Sequence, residues 1–360
     1  MYQPIPCNFV LPAEWEPQSG IMLTWPHANT DWHPYLLQIT ETYLQLAEAI
    51  TRFEHLLVVT PFLESTRRTL ARRLPPRQME RVRLYEIDSD DTWARDHGPI
   101  TIVSTAKHHD YIIPYHLLDF KFNGWGEKFA WKKDNAINLQ LYYQGAFQNA
   151  AMENHQGFVL EGGSIESNGK GTIFTTSQCL LAPHRNEHLP LRHMVEGLLT
   201  NFFHAKRIVW IDHGHLVGDD TDGHIDTIVR LAPHDTLLYI GCDDTEDEQY
   251  EDLKALEKQL QQLTTYEGYP YRLIKLPMPD PIYDGNDRLP ATYANFLILN
   301  GAVIYPTYNQ PEHDAEARRQ IQLAFPDREL IGIDATTIIR QHGSIHCLAM
   351  QLPAGVLRIS

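Results

Sequence analysis

Short apolar runs alternate along this chain with amphipathic stretches, and polar motifs stand where the two meet. The amphipathic stretches repeat apolar residues at three- and four-residue steps, which puts those side chains on one face of a helix. The apolar runs are typical of buried strands. Helices are predicted over residues 36–53, 191–202, 250–263 and 312–325. Strands are predicted over residues 20–25, 55–60, 82–87, 100–103, 207–211, 227–231, 236–241 and 272–276, with hairpins over 157–176 and 293–305.

The order strand, polar motif, strand, helix, strand recurs about five times along the sequence. No linker rich in glycine, proline or serine interrupts it. We therefore predict that residues 1–360 form one α/β domain of repeated units around a shared centre. Residues 107–155 stand apart as a long irregular segment rich in aromatic residues, either a functional lid or an apolar cluster.

The charge balance limits the partners of this 360-residue chain. Lys and Arg together number 30 against 46 Asp and Glu, a formal net charge of -16. Nucleic-acid binding needs a basic footprint, so that class is disfavoured. An acidic protein suits a small cationic substrate, although acidity also serves solubility alone. The oligomeric state stays open, a homo-oligomer included.

The cysteines and the start of the chain bear on its compartment. Four cysteines lie far apart without a C-x-x-C pair, which disfavours a disulfide scaffold or a zinc ribbon and favours reduced thiols. The first residues lack the basic and apolar regions of a signal peptide. No apolar run approaches the roughly 18 residues of a membrane span. These patterns predict a soluble cytoplasmic protein with no membrane partner.

One cysteine near the end of the chain has the surroundings of a nucleophile. Cys347 follows the small pair Gly343-Ser344, so little side-chain bulk hinders the approach of an electrophile. The plainer interpretation is a buried small apolar residue. Polar motifs elsewhere in the chain favour the nucleophile, because a histidine or a cation nearby gives a thiol its thiolate character.

His224 and Glu161 are the candidates to assist this thiol. A histidine with a pKa near neutrality can protonate a leaving group and then deprotonate water. A carboxylate beside it, for which Glu161 is the candidate, would fix the tautomer of the imidazole and raise its basicity.

Asp96 and Asp226 are candidates for a pair of facing carboxylates. Two such acids repel each other unless a cation lies between them. A planar guanidinium has the geometry that matches paired carboxylates. His224 and Asp226 are two residues apart, so on a strand both side chains would point to one face.

Six motifs along the chain resemble those of one enzyme family. They lie at Pro12–Pro17, Trp25–His27, Thr92–Pro99, Leu160–Gly163, Gly223–Asp226 and Gly343–Cys347. In this order they are similar to the agmatine deiminase and Porphyromonas-type peptidylarginine deiminase family, over essentially the whole chain. The resemblance implies the pentein fold, a five-bladed α/β propeller with its site in the central channel. It also implies hydrolysis of a guanidine without a metal or an organic cofactor.

The resemblance implies a role for each candidate residue. Asp96 and Asp226 would hold the guanidinium, and Trp93 would line the pocket. Cys347 would attack the central carbon to form a covalent thiouronium. His224, oriented by Glu161, would protonate the departing ammonia and then activate water. The expected reaction converts agmatine to N-carbamoylputrescine and ammonia.

The sequence departs from the family pattern at two places that bear on the substrate. Gln341-His342-Gly343-Ser344 stands where the family carries Gly-Gly-Gly-Asn, and Asp222 stands where it carries Asn. The acids Asp219, Asp220 and Asp222 could receive the distal ammonium of agmatine, with Asp220 as the candidate, or they form a solvated turn.

The substrate is left open in other respects. Asn295 is a further candidate for substrate binding, although an asparagine in a hairpin is more often structural. No basic residue in the motifs suits an α-carboxylate, which disfavours free arginine. Another guanidine, as in a peptidylarginine deiminase, remains an alternative.

Rival classes were weighed against this interpretation. The set His213, His215, His224 and Asp226 has spacings that would suit the metal of an amidohydrolase. A papain-like protease is disfavoured by the position of the cysteine after the histidine. A polyamine-binding protein without activity is a further alternative. His346 is predicted to face away from the thiol on a strand, packed or hydrogen bonded rather than catalytic.

Overall fold

The computed structural model describes residues 9–106 and 113–359, which form a mixed α/β structure. The strands are β1 Phe9–Val10, β2 Gln18–Thr24, β3 His55–Thr60, β4 Val82–Glu86, β5 Ile100–Ser104, β6 Tyr115–Lys121, β7 Ala150–Val159, β8 Ile165–Ser167, β9 Thr172–Thr176, β10 Arg207–Ile211, β11 Val229–Ala232, β12 Thr236–Ile240, β13 Arg272–Leu276, β14 Tyr283–Asp284, β15 Asp287–Arg288, β16 Leu297–Ile298, β17 Ala302–Thr307, β18 Glu329–Asp334 and β19 Ala349–Pro353. The helices are α1 Leu36–Phe53, α2 Leu63–Arg73, α3 Pro76–Met79, α4 Ala94–His97, α5 Gly124–Glu127, α6 Ile137–Tyr143, α7 Ser177–Leu180, α8 Arg192–Phe203, α9 Tyr250–Gln262 and α10 Pro311–Ala324.

One pairing pattern recurs in the described residues. A strand pairs antiparallel with the next, which pairs parallel with a third across a helical connection. The units are β19-β2-β3, β5-β6-β7, β8-β9-β10, β11-β12-β13 and β16-β17-β18. Because β19 pairs with β2, the two ends of the described chain meet in one unit. The repetition that the sequence order indicated is therefore present in the strand pairing.

The middle strands of these units are buried because helices cover them. All residues of β2 and β12 are buried, as expected for strands that pair on both sides and are covered by apolar neighbours. Most of the other predicted elements are also confirmed, and β3, β10 and β13 have the predicted bounds.

Two predictions for the middle of the chain are wrong. Apart from residues 107–112, which lie outside the described residues, the segment predicted to be irregular contains β6, α6 and β7. The predicted hairpin over 157–176 is formed by β8 and β9 alone, because Phe158 and Val159 end β7 in a different sheet.

The polar motifs occupy the same place in each unit, directly before its first strand. Asp96 precedes β5, Glu161 precedes β8, Asp226 precedes β11, Asn295 precedes β16 and Cys347 precedes β19. The short segments that carry them touch one another: α4 contacts the 3-10 turns Gly162–Ser164 and His346–Leu348, and Gly162–Ser164 contacts Ile225–Thr227. The repeated order thus brings distant motifs to one place.

Candidate active site

Three candidate side chains converge around Gly163. A Cβ atom at this glycine would lie 2.6 Å from His224 Nδ1, 2.8 Å from Asp96 Oδ1 and 3.1 Å from Asp226 Oδ2. Any larger residue would displace these groups, so the glycine permits the close approach of an imidazole and two carboxylates. The structure therefore brings together Asp96, His224 and Asp226, as the sequence predicted.

Cys347 lies buried beside this group. Its Sγ is 3.7 Å from Asp226 Oδ2 and 3.4 Å from Asn295 Oδ1. The same amide oxygen of Asn295 accepts hydrogen bonds from the backbone N–H groups of His346, at 2.9 Å, and of Cys347, at 3.3 Å. Asn295 thus holds the turn that presents the thiol.

The local backbone differs from the prediction at these residues. Asp226 lies on the 3-10 turn Ile225–Thr227, and Cys347 and His346 lie on the 3-10 turn His346–Leu348, so none of them is on a strand. The opposite-face argument for His346 is therefore wrong, although this side chain is hydrogen bonded as expected. On this turn the adjacent side chains of His346 and Cys347 both reach Asp226 Oδ2, which the opposite faces of a strand would not allow.

The two candidate carboxylates differ in their partners. Asp96 Oδ1 accepts from the backbone N–H of Gly163 at 3.0 Å, and Oδ2 accepts from Trp125 Nε1 at 3.0 Å. Asp226 Oδ2 accepts from His346 at 2.7 Å, whereas the buried Oδ1 has no hydrogen-bond partner in the described part of the chain. A buried carboxylate oxygen without a donor marks a place where a ligand can bind.

The electrostatics of the thiol follow from its burial between acids. Burial, Asp226 and Asp96 together raise the pKa of Cys347 well above its usual range. The sulfur is therefore a neutral thiol while the pocket holds no cation. A cation placed between the carboxylates would reverse this effect.

His224 is charged in the same surroundings. Burial opposes a charge on the imidazole, but the negative charge of Asp96, whose Oδ1 lies 3.6 Å from Nδ1, raises the pKa of His224 well above its usual value. For Asp96, burial dominates and raises the pKa of the carboxyl to about 6 despite His224. An imidazolium beside the two carboxylates is a ready proton donor.

Glu161 lies near His224 but is bound mainly to Arg185. The carboxylate oxygens accept from Arg185 Nε at 3.0 and 3.3 Å, and both side chains are buried. Glu161, Cys179 and His224 each place one atom within 4.8 Å of the others. Asp96 also approaches the imidazole. The predicted orienting role of Glu161 would therefore be shared with Asp96.

A cavity of about 350 Å³ leads to the thiol. The lining residues are Asp91, Trp93, Asp96, Trp125, Phe129, Asp220, Thr221, Gln341, His342, Gly343 and Cys347. Neither lysine nor arginine is among these residues, whereas three carboxylates are. Gly343 is required here because a Cβ would collide with the ring of Trp93. The cavity is therefore suited to a slender cation with an aliphatic body.

The three acids of the predicted cluster separate in the structure. Asp220 lines the cavity, and burial raises the pKa of its carboxyl to about 6. Asp219 instead accepts hydrogen bonds within its own turn, from Thr221 and Gly223. Asp222 forms ion pairs with Arg185 and Lys128. Its φ of 64° is a left-handed conformation that Asp and Asn both tolerate, which accounts for the exchange at this position.

Several lining residues escaped the sequence analysis. Asp91 directly precedes the Thr92–Pro99 motif, and burial raises the pKa of its carboxyl to about 7. Gln341 and His342 were noted only as departures from the family pattern. Nothing in the spacing of these residues indicated that they share one cavity with Trp93 and Asp96.

The structure does not assemble the predicted metal cluster. His213 is exposed and faces Asp252, and His215 is exposed and faces Gln178, whereas His224 and Asp226 are buried. Groups with metal-ligand geometry in the described residues are Glu161, Cys179 and His224, and Glu14, Glu166 and His346. In each group an arginine already pairs with a carboxylate.

Among the described residues, the helices are too short or too polar to span a bilayer.

Comparison with known proteins identifies the family. Residues 10–353 match the model of the Porphyromonas-type peptidyl-arginine deiminase family, so the chain belongs to this family. Within it, the chain is 32% identical over 376 residues to the agmatine deiminase of Pseudomonas putida, covering 98% of this chain and 97% of the other. The chain is thus homologous to agmatine deiminases, which are guanidino-group hydrolases.

Solved structures agree in fold. A Porphyromonas gingivalis protein is 44% identical with a TM-score of 0.90, over 97% of this chain and all of the other. The agmatine deiminase of C. jejuni with substrate bound is 34% identical with a TM-score of 0.88, over 99% of each chain.

Proposed function

We propose that this protein is an agmatine deiminase that hydrolyses agmatine to N-carbamoylputrescine and ammonia. The observation that carries the proposal is the buried Cys347 thiol beside Asp226, which gathers with Asp96 and His224 around Gly163, at an acidic cavity. The C. jejuni agmatine deiminase with substrate bound, which shares the fold, supports a small guanidine as the substrate.

The first half of the proposed reaction begins with charge neutralisation. A guanidinium bound to Asp96 and the free oxygen of Asp226 offsets the carboxylates that raise the pKa of Cys347, so the thiol loses its proton to solvent. The thiolate adds to the central guanidine carbon. The C–N bond then breaks as His224 gives its proton to the departing ammonia, which leaves a thiouronium on Cys347.

The second half returns the enzyme to its starting state. Neutral His224 takes a proton from water, and the hydroxide adds to the thiouronium carbon. The C–S bond breaks as the proton of the added hydroxyl passes to the departing sulfur, so the neutral thiol of Cys347 is restored and the ureido product leaves. Trp93 and Trp125, whose rings meet edge to face at 6.4 Å, would enclose the aliphatic chain.

Asp220 is the proposed partner of the distal ammonium. It lines the cavity, and the lining offers neither lysine nor arginine for an α-carboxylate. Agmatine is therefore preferred over arginine. Asn295 would hold the turn that carries Cys347. In this proposal it also borders the bound guanidinium.

The five strand units support a further part of the proposal, namely that residues 1–360 form a single pentein domain with its units arranged as a five-bladed propeller around the site. The proposed reaction requires neither metal nor organic cofactor. We also propose a cytoplasmic location.

Another guanidine compound is the second candidate substrate. Gln341 and His342 line the cavity in place of the glycines that the family pattern predicts, so the entrance differs from that pattern. A peptidylarginine-like substrate would be the one that binds at this altered entrance.

The test is to incubate the enzyme with agmatine, arginine and a C-terminal-arginine peptide and to measure the ureido product of each. We expect agmatine to give the highest kcat/KM. Preference for the peptide would transfer the proposal to the second candidate, and no ureido product from any guanidine would overturn it.

A further inference from the structure

His346, next to the proposed nucleophile, is held between two carboxylates. Its Nδ1 lies 2.7 Å from Asp226 Oδ2, and its Nε2 lies 2.8 and 3.0 Å from the two oxygens of Glu14. The imidazole is completely buried. Glu14 comes from the Pro12–Pro17 motif, which the proposed reaction leaves without a role.

Both carboxylates are ionised. Burial opposes the charge of Glu14, but Arg95, His346 and Arg230 hold the pKa of this carboxyl well below its usual range. Burial likewise opposes the charge of Asp226, and the hydrogen bond from His346 helps to lower the pKa of that carboxyl. Arg230 Nη2 also lies 3.1 Å from His346 Nε2, but it already donates to Glu14 at 2.7 Å, and the shorter contact of Nε2 is with Glu14. Ionised carboxylates only accept hydrogen bonds, so both ring nitrogens of His346 donate. A ring with two N–H groups is an imidazolium.

The charges around His346 point to the same state. We define the Glu14 network as Glu14, whose side chain is 12% exposed, and the buried groups Arg95, Glu166, Arg230 and His346 together with Asp226. It holds three carboxylates against two guanidinium groups. The nearby charge of His224 is offset by its ion pair with Asp96, so His346 must carry the third positive charge for the network to be neutral. A surplus buried charge would be costly.

Glu166 does not remove the need for that charge. One of its oxygens accepts from Arg230 Nε, and the other accepts from the backbone N–H of Leu231 at 3.1 Å. Burial raises the pKa of this carboxyl, while Arg230 opposes the rise. Because both oxygens face donors, the geometry leaves no acceptor for a carboxyl proton.

We infer that His346 is a positioning residue, fixed as an imidazolium by Glu14, that engages one oxygen of Asp226 and thereby leaves the other to receive the substrate guanidinium. The inference rests on the proposed function for the identity of the substrate. If His346 lost its charge, Asp226 would be free to turn or to take up a proton, and the guanidinium would lose a partner.

The protonation of His346 can be tested without turnover. Histidine-selective ¹⁵N NMR of the wild type and of His346→Gln would identify the signals of this ring by their absence in the variant. We expect both nitrogens to have the shifts of protonated nitrogen from pH 6 to pH 8. A neutral tautomer at pH 7.5 would overturn the inference, whatever guanidine the enzyme uses.

The positioning role can be tested with Glu14→Gln against a matched control. In this variant the imidazolium loses one of its two carboxylate partners, so its proton is held less tightly. We expect kcat/KM for the best guanidine to fall roughly ten- to a hundredfold, with a new loss of activity at high pH that the wild type does not show. The same pH limb should appear in the NMR titration, which also serves if His346→Gln does not fold.

Glu166→Gln is the control, because it removes the same charge from the network without a bond to His346. We expect this variant to keep the wild-type pH profile even where its thermal stability falls as far as that of Glu14→Gln. Identical pH profiles for the two variants would mean that Glu14 and His346 only stabilise the fold, and would overturn the positioning role.

Discussion

The cavity and the Glu14 network are both buried and rich in acids, but they treat charge in opposite ways. In the network each carboxylate faces an arginine or His346. In the cavity no lysine or arginine lines the surface, and burial raises the pKa of Asp91, Asp96 and Asp220. The network uses its charges to hold the fold and, through His346, to position Asp226, whereas the cavity keeps its negative charges available for a cation. Replacements of Arg230 and of the cavity acids should therefore differ in their effect on stability.

Replacing the nucleophile should have the largest effect. Cys347→Ser keeps the shape of the side chain but removes the thiolate, so we expect ammonia release to fall by about a thousandfold or more. Thermal stability should stay near that of the wild type, because the buried thiol makes only weak hydrogen bonds. Turnover of the serine variant at the wild-type rate would remove the covalent mechanism.

Breaking the network should instead reduce stability. Arg230→Met leaves Glu166 buried without its ionic partner and removes one of the three cations that pair with Glu14, which costs about 3–5 kcal/mol. The free energy of unfolding in urea measures this loss. Lys275→Met, at the exposed pair with Asp243, is the control and should change stability by less than about 1 kcal/mol. Equal losses in the two variants would contradict the special role of the buried network.

Removing one charge from the cavity should affect binding alone. Asp220→Asn is expected to raise KM for agmatine about tenfold, which corresponds to roughly 1.4 kcal/mol, with little change in kcat. Stability should hold or rise, because desolvation of the ionised carboxyl outweighs the attraction of His342 and raises its pKa. Asp222→Asn, outside the cavity, should leave KM unchanged.

A substrate analogue sharpens the same prediction. Guanidinobutane has the guanidinium of agmatine without the ammonium, so its KM should be the same for the wild type and for Asp220→Asn. An equal rise in KM for both compounds would show that Asp220 does not bind the ammonium.

Most elements could be predicted because their signals are local. Helix α1 and strands β3, β10 and β13 follow directly from one-sided or continuous apolar spacing. Strand β7 was missed because it forms a sheet edge and is largely half-exposed, so polar residues interrupt its apolar pattern. Edge strands carry a weaker signal than central ones for this reason.

The candidate site was predictable only as separate motifs. Each motif precedes the first strand of a unit, an order that the sequence shows, but the turns at Asp226 and Cys347 are too short to produce a periodic pattern. The pairing of Glu14 with His346 joins residues more than 300 positions apart, and no spacing rule indicates such a contact. Family resemblance connected the motifs, and the structure supplied their partners.

The smallest expected effect is a pH dependence of ligand stabilisation. The carboxyls of Asp96 and Asp220 have pKa values of about 6 and that of Asp91 about 7, above the ordinary value of 3.8. Raised values of this kind stabilise the fold below pH 4, and that contribution is lost as pH rises through 6 and 7. Bound agmatine should offset this loss of stability only at pH values where the acids are ionised. In Cys347→Ser, which does not consume the ligand, saturating agmatine should raise Tm by roughly 2 °C more at pH 8 than at pH 5.

A neutral ligand separates charge from occupancy in this measurement. Butylurea has a similar chain and carries no charge, so its effect on Tm should be small and equal at the two pH values. If agmatine also stabilised the variant equally at pH 5 and pH 8, the cavity acids would not be responsible for holding the cation. The cavity acids would then have no special role in binding charge, and only the paired charges of the Glu14 network would support the contrast between the two regions.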